Sequence, residues 1–219
     1  MVYVTGDMHG DLSHLKGAPL KKGDTLLVCG DFGFIWYGDK RDAAALRALS
    51  RKKYTVLFVD GVHENYDLLA NYPLVEVYGA PAWQIAPNVY RLCRGEVYTV
   101  EGRTIFAFGG GEEPFEKSLR ADTGSYYDCC MPSEEELRRG REALEAVDNR
   151  VDFIVTHTPS AKAGAYTRTR RKHETGLGVY FYVLEEAVTY KRWFFGCLHL
   201  DRKVSARQLA VYRAIVPLD

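Results

Sequence analysis

The stretch Val2-Tyr3-Val4-Thr5-Gly6-Asp7-Met8-His9-Gly10 decides how the rest of the chain is read. A short β-rich apolar run ends in glycine, and just past it stand a carboxylate and an imidazole two residues apart. Extended side chains repeat with a period of two, so Asp7 and His9 point the same way and reach one ion. The same arrangement recurs along the sequence. Thr25 to Cys29 runs into Gly30-Asp31-Phe32-Gly33, and Thr55 to Val59 into Gly61-Val62-His63-Glu64-Asn65. Phe153 to Thr156 runs into His157-Thr158, and Trp193 to Phe195 into Gly196-Cys197-Leu198-His199. Side chains carried past several strand ends toward one edge make a metal pocket. Hard divalent cations take oxygen and imidazole donors, and a pair of ions about 3.5–4 Å apart shares a carboxylate. Asp31 is suited to that bridge.

Between the strands lie helix patterns. Asp42 to Ser50 places Leu46 and Leu49 on one face. Ser133-Glu134-Glu135-Glu136 opens a second helix with a capping box and acids in the first turn, and this helix is expected to run through Leu137 and Leu144 to near Val147. Tyr98 to Phe108, broken at Glu101-Gly102, reads as a hairpin, and Gln208 to Val216 as a final strand. Strands alternating with helices, with hairpins added, predict an α/β domain with mixed sheets. Gly109 to Met131, rich in Gly, Glu and Tyr, reads as a loop near the pocket.

With 219 residues, 47% of them hydrophobic, the chain encloses one sizeable core, and residues 1–219 are expected to form a single domain. Twenty-nine basic residues balance 29 acidic ones, so the broad positive field that extended nucleic acid requires is missing. A small substrate is favoured. The five cysteines show neither a disulfide framework nor paired zinc spacing, which predicts a reducing compartment. The N-terminus carries no signal-peptide pattern, and no apolar run is long enough to span a bilayer. The expectation is a cytoplasmic protein that does not engage membranes.

Taken together, Asp-x-His-Gly at Asp7, Gly-Asp at Asp31, Gly-x-His-Glu at His63, the lone His157 and Gly-x-x-His at His199 resemble the calcineurin-like metallophosphoesterases, block for block and in the family's order. The Gly61 to Asn65 turn and the Met131 to Glu136 run look like a small single-domain bacterial branch. The resemblance implies a four-layer fold, two mixed β-sheets packed as a sandwich and flanked by helices, that hydrolyses phosphoesters with divalent Mn, Zn or Fe. It assigns Asp7, His9, Asp31 and His199 to a first metal site, with Asp31 bridging to a second. It makes His157 a ligand of that second site and His63 the catalytic histidine beside the phosphate.

Three positions depart from the family pattern. Val62 stands where the family has a metal-binding asparagine, and valine offers no lone pair. Cys197 replaces the first histidine of Gly-His-x-His with a softer, shorter donor. Phe34 replaces a second aspartate that supports the site. One ion is therefore firmly expected, and the second retains Asp31 and His157 as its donors. Two readings follow. The favoured one is a metal-dependent phosphoesterase acting on a phosphomonoester or phosphodiester; the alternative is a catalytically weak or inactive protein of the same fold that binds a phosphorylated ligand or partner.

Other residues carry weaker signals. Arg168 and Arg170, in the basic run Thr167 to His173, are placed to contact substrate phosphate, although such runs are commonly solvated loops. Glu112, Glu113 and Glu116 read as pocket rim or plain surface. Trp36, Trp83, Tyr126 and Tyr127 suit either ring stacking or burial against the sheets. His14 reads as structural, and Cys129-Cys130 as chemically silent. No Gly-x-Ser-x-Gly elbow or phosphate-cradling GxxxxGK[ST] loop points to another hydrolase chemistry.

Overall fold

The apolar runs form strands without polar alternation because both of their faces are covered. In a computed structural model, which describes residues 1–111, 128–166 and 176–219, the strands fall into two sheets. The first contains β1 (Val2–Thr5), β2 (Thr25–Cys29), β3 (Thr55–Val59), β4 (Leu74–Val77), β5 (Ala80–Ala86) and β6 (Val89–Leu92). The second contains β7 (Glu96–Val100), β8 (Arg103–Phe108), β9 (Phe153–Thr156), β10 (Arg192–Phe195), β11 (Arg202–Lys203) and β12 (Gln208–Ala210). The last strand, β13 (Val216–Pro217), returns to the first sheet.

The orders are β13-β1-β2-β3-β6-β5-β4 and β11-β12-β10-β9-β8-β7. In the first sheet β1, β2, β3 and β6 run parallel, with antiparallel strands at both edges. In the second, β12, β10, β9 and β8 run parallel between antiparallel edges. Both sheets are mixed, as expected.

Period two then sorts the core. Leu27 and Cys29 of β2, Leu57 and Val59 of β3, Phe153 and Val155 of β9 and Phe194 of β10 meet between the sheets. Their neighbours Leu26, Val28, Val56 and Phe58 face outward, toward Leu49 of α1 (Lys40–Ser50). On the far side, Ile154, Trp193 and Phe195 pack against Leu144 of the helix Glu134–Glu145 and against Leu177, Phe181 and Leu184 of the helix Gly176–Ala187. Helix, sheet, sheet, helix is the four-layer α/β sandwich. Each large apolar side chain fully buried in it stabilises by roughly 1.5–3 kcal/mol.

Two sequence expectations need correction. α1 starts at Lys40, capped by Asp39, so Asp42 lies inside its first turn. The final strand is not continuous: β12 belongs to the second sheet and β13 to the first, and residues between them leave the ladder. Asp201 causes the break, accepting hydrogen bonds from the backbone N–H of Tyr212 at 2.7 Å, Arg213 at 3.1 Å and Ala214 at 3.1 Å. The Ser133–Glu136 capping box forms as read, although its helix stops at Glu145. The hairpin turns at Glu101 and Gly102, both with positive φ.

Candidate metal centre

The parallel strands point their C-terminal ends to one edge, and the donor side chains come from the turns just beyond β1, β2, β3, β9 and β10. Backbone contacts lock two of those turns together: the N–H groups of Met8 and His9 both donate to the Asp31 carbonyl, at 3.0 and 2.8 Å. His9, Asp31 and His199 each adopt positive φ, at 48°, 44° and 49°. Non-glycine residues in this region cost of order 1–3 kcal/mol and persist where surrounding structure imposes them, typically at functional sites. Glycines let the turns close. A Cβ on Gly61 would strike the Asp31 carboxylate, and one on Gly196 would strike that of Asp7.

Asp7, His9, Asp31 and His199 each bring one donor atom to within 4.8 Å of the others, the one such group among the described residues. His199 Nε2 lies 2.9 Å from Asp7 Oδ2 and 3.2 Å from His9 Nε2, which stands 3.8 Å from Asp31 Oδ2. The two carboxylates are buried, while the imidazoles are open to solvent. An ion or substrate therefore has an approach.

The decisive feature is what the Asp7 carboxylate lacks. Both oxygens of Asp7 are buried without a hydrogen-bond partner, although His199 is close. A buried carboxylate is costly unless paired or coordinated. A divalent cation fits this gap, and two carboxylates with two imidazoles are the donors that Mn, Zn and Fe accept.

His157 is buried beside the group. Its Nδ1 lies 3.1 Å from the Cys29 carbonyl, an arrangement in which Nδ1–H donates and Nε2 keeps its lone pair for coordination. Nε2 is itself buried and partnerless, 3.7 Å from Asp31 Oδ1. Burial disfavours charge on this ring, yet the Asp31 and Asp7 carboxylates push its pKa up to about 10. The site demands positive charge at its centre. Burial likewise opposes ionisation of Asp31, but His157 and His63 hold its pKa well below the ordinary carboxylate range. His9 is shifted down by burial, and His199 up by Asp7.

His63 stands at the mouth of the site, half-buried, with Nδ1 2.6 Å from Asp31 Oδ2 and its backbone N–H 2.7 Å from Oδ1. Val62 turns into an apolar cluster with Tyr66 and Cys130, and so contributes packing where the family has a ligand. Phe34 is likewise core, its ring centroid 4.7 Å from that of Phe32. Cys197 ties its turn to the His157 turn through a backbone hydrogen bond of 3.2 Å to the His157 carbonyl. Arg168, Arg170, Glu112, Glu113, Glu116, Tyr126 and Tyr127 lie outside the described residues. His14 is structural, buried with Nε2 2.7 Å from Thr5 Oγ1.

Some supporting residues escaped the sequence reading. Glu64 is buried and accepts from the N–H groups of Phe32 and Gly33 at 2.7 and 3.2 Å, shaping the Asp31 turn. Burial and the neighbouring Asp31 push its pKa up to about 8. Tyr212 stacks on His199 with centroids 4.7 Å apart and planes within 12°. Asp201 holds that segment in place. The Gly-Val-His-Glu turn carried a signal for Glu64; nothing local marked Tyr212.

No curated protein matches the chain. Among solved structures, a phosphopantetheinyl hydrolase from Mycobacterium tuberculosis is 16% identical, with a TM-score of 0.47 over 97% of this chain and 90% of its own. The profile described as calcineurin-like phosphoesterase matches residues 1–199, which span every donor turn from Asp7 to His199. The chain belongs to the calcineurin-like phosphoesterase family, whose members bind divalent metals.

Proposed function

We propose that this protein is a metal-dependent hydrolase of a small phosphomonoester or phosphodiester, working as one domain in a reducing cytoplasm. The observation that carries the reading is the buried carboxylate of Asp7, not completed by any well-aligned hydrogen bond and gathered with three further donors. Asp7, His9, Asp31 and His199 would hold one cation, with Asp31 and His157 left to bind a second more weakly. When bound, the metal supplies Lewis acidity, drawing charge from the phosphoryl oxygens and lowering the pKa of water.

The chain's own residues do the rest. Asp31, buried and ionised, fixes His63 through Nδ1 and through the backbone, so the ring is held before substrate arrives. Its Nε2 is then the atom that hydrogen-bonds a phosphoryl or leaving-group oxygen and can pass it a proton. Cys29 fixes the tautomer of His157, and Tyr212 the plane of His199. Arg168 and Arg170 are assigned to substrate phosphate on sequence grounds alone.

A second reading, a phosphoester-binding protein with feeble turnover, is favoured by the apolar seat of Val62, which leaves the second ion short of donors. Metal-stripped protein titrated with Mn²⁺ against an aryl phosphate and a phosphodiester separates the two. Metal-dependent turnover that falls about 10²–10⁴-fold in His63→Ala, with ion binding retained, upholds the enzyme. One bound ion with no turnover of any phosphoester upholds the binder.

A further inference from the structure

A cavity of about 360 Å³ opens directly beside the donor cluster. His9 and His63 line it toward the metal centre, and Phe34, Trp36, Tyr37 and Arg41 line it elsewhere. Its volume falls in the range of small-ligand sites, roughly 300–1,000 Å³. Tyr37 is 63% exposed, and of the large apolar side chains exposed among the described residues it alone borders this cavity.

The turn that carries Trp36 and Tyr37 is rigidly built. Asp42, buried in the first turn of α1, accepts at Oδ2 from the N–H groups of Trp36, Tyr37 and Gly38, at 2.8, 2.7 and 2.7 Å. Asn65, two residues past His63, donates through Nδ2 to the Trp36 carbonyl at 2.8 Å. One end of this clamp thus belongs to the turn that carries His63. Arg41 lies 4.4 Å over the Tyr37 ring and is steadied by Asp39 at 3.0 Å. These contacts fix the backbone of the turn, and Arg41 covers one face of the Tyr37 ring, so a ligand meets a placed turn and less freedom is lost in ordering it.

We propose that this cleft selects phosphoesters whose organic group is a flat aromatic ring. Trp36 and Tyr37 supply the stacking surface, and Arg41 supplies donors for the ring's edge. The inference rests on the hydrolase reading for its phosphate position, beside His63. A nucleobase and a simple aryl group share the required chemistry.

Dissociation constants of adenosine monophosphate, phenyl phosphate and glycerol phosphate for the Mn²⁺-loaded protein test it, with turnover of each followed in parallel. The ring-bearing esters should bind about tenfold or more tighter than glycerol phosphate, the scale of aromatic stacking on a base. That preference should fall by about tenfold in Tyr37→Ala and survive in Tyr37→Phe. Stronger binding of the nucleotide that is lost in Arg41→Ala assigns a nucleobase; equal binding of the two ring esters assigns a plain aryl group, and both uphold the cleft. Equal affinities for all three, or a preference untouched by Tyr37→Ala, overturn it. Ring-selective binding without turnover sinks the hydrolase reading and leaves the cleft standing; turnover without ring selectivity does the reverse.

Discussion

Two buried acidic groups lie past strand ends of the first sheet, on either side of β2, and they are finished in opposite ways. Asp60, one residue beyond β3, is saturated by protein: Oδ2 accepts from Tyr66 at 2.7 Å and from Arg94 through both Nε and Nη2, and Arg91 lies 3.4 Å from Oδ1. Arg94 spends its remaining donors on Glu136 and on the Cys129 and Cys130 carbonyls. Asp7, two residues beyond β1, is met only by imidazoles: His199 Nε2 lies 2.9 Å from Oδ2 and His157 Nδ1 3.5 Å from Oδ1, and neither oxygen is completed by a well-aligned hydrogen bond. Burial is the same and completion is not. A carboxylate sealed by guanidinium is part of the fold; one that the fold declines to seal is available to a cation.

The largest effect should come from breaking the sealed cluster. Asp60→Asn leaves the Arg94 guanidinium buried and short of charge, at a cost of about 3–5 kcal/mol, read by thermal or urea unfolding. Its pH dependence has a definite sign. Burial opposes ionisation of Asp60, but Arg94 and Arg91 hold its pKa well below the ordinary carboxylate range. Its contribution is therefore present above about pH 4 and lost as the pH falls further, so the gap between wild type and Asp60→Asn should be flat at neutral pH and narrow in acid. A gap that widened in acid would break the assignment.

In the open cluster the ordering of effects reverses. Asp31→Asn should cost about 10²–10³-fold in turnover, and the metal-free protein should also lose stability, because the buried carboxylate accepts from His63 and faces His157. Mn²⁺ at a hundred times its dissociation constant should stabilise wild type by about 2.7 kcal/mol, and Asp60→Asn by the same increment, but not Asp31→Asn. Equal metal stabilisation of all three proteins would erase the distinction between the clusters. The smallest expected change is at the second site: Val62→Asn with Cys197→His should raise the ion count from one to two, read by metal analysis. An unchanged count would remove Val62 and Cys197 from any account of the second ion.

The open cluster was legible in the sequence because its parts are local. Each donor sits at a short, fixed offset from the end of an apolar strand, although β1 stops at Thr5 and His9 has positive φ, so Asp7 and His9 converge through a turn and not through the period of two expected of an extended run. The parallel strands were legible for the same reason, as runs apolar on both faces. The sealed cluster was not, since Asp60, Arg91, Arg94 and Glu136 meet only after β3, β6 and a helix some 40 residues further on have packed together. β4 was missed because its residues are partly exposed throughout, and β5 because Pro81 weakens a strand reading. The helix Gly176–Ala187 combines two glycines with bulky apolar residues around much of its circumference, so no clean 3.6 period survives. Asp42 and Asp201 act as clamps on backbone that no motif connects to them, and the stacking of Tyr212 on His199 depends on that second clamp.

The most direct measurement is the position of the ion. A crystal grown with Mn²⁺ or Zn²⁺ and measured at the metal's absorption edge should show an anomalous peak enclosed by Asp7, His9, Asp31 and His199, within coordination distance of Asp7. A strong peak elsewhere, or none at saturating metal with Asp7 still unpartnered, would contradict the claim that this carboxylate is left open for a cation.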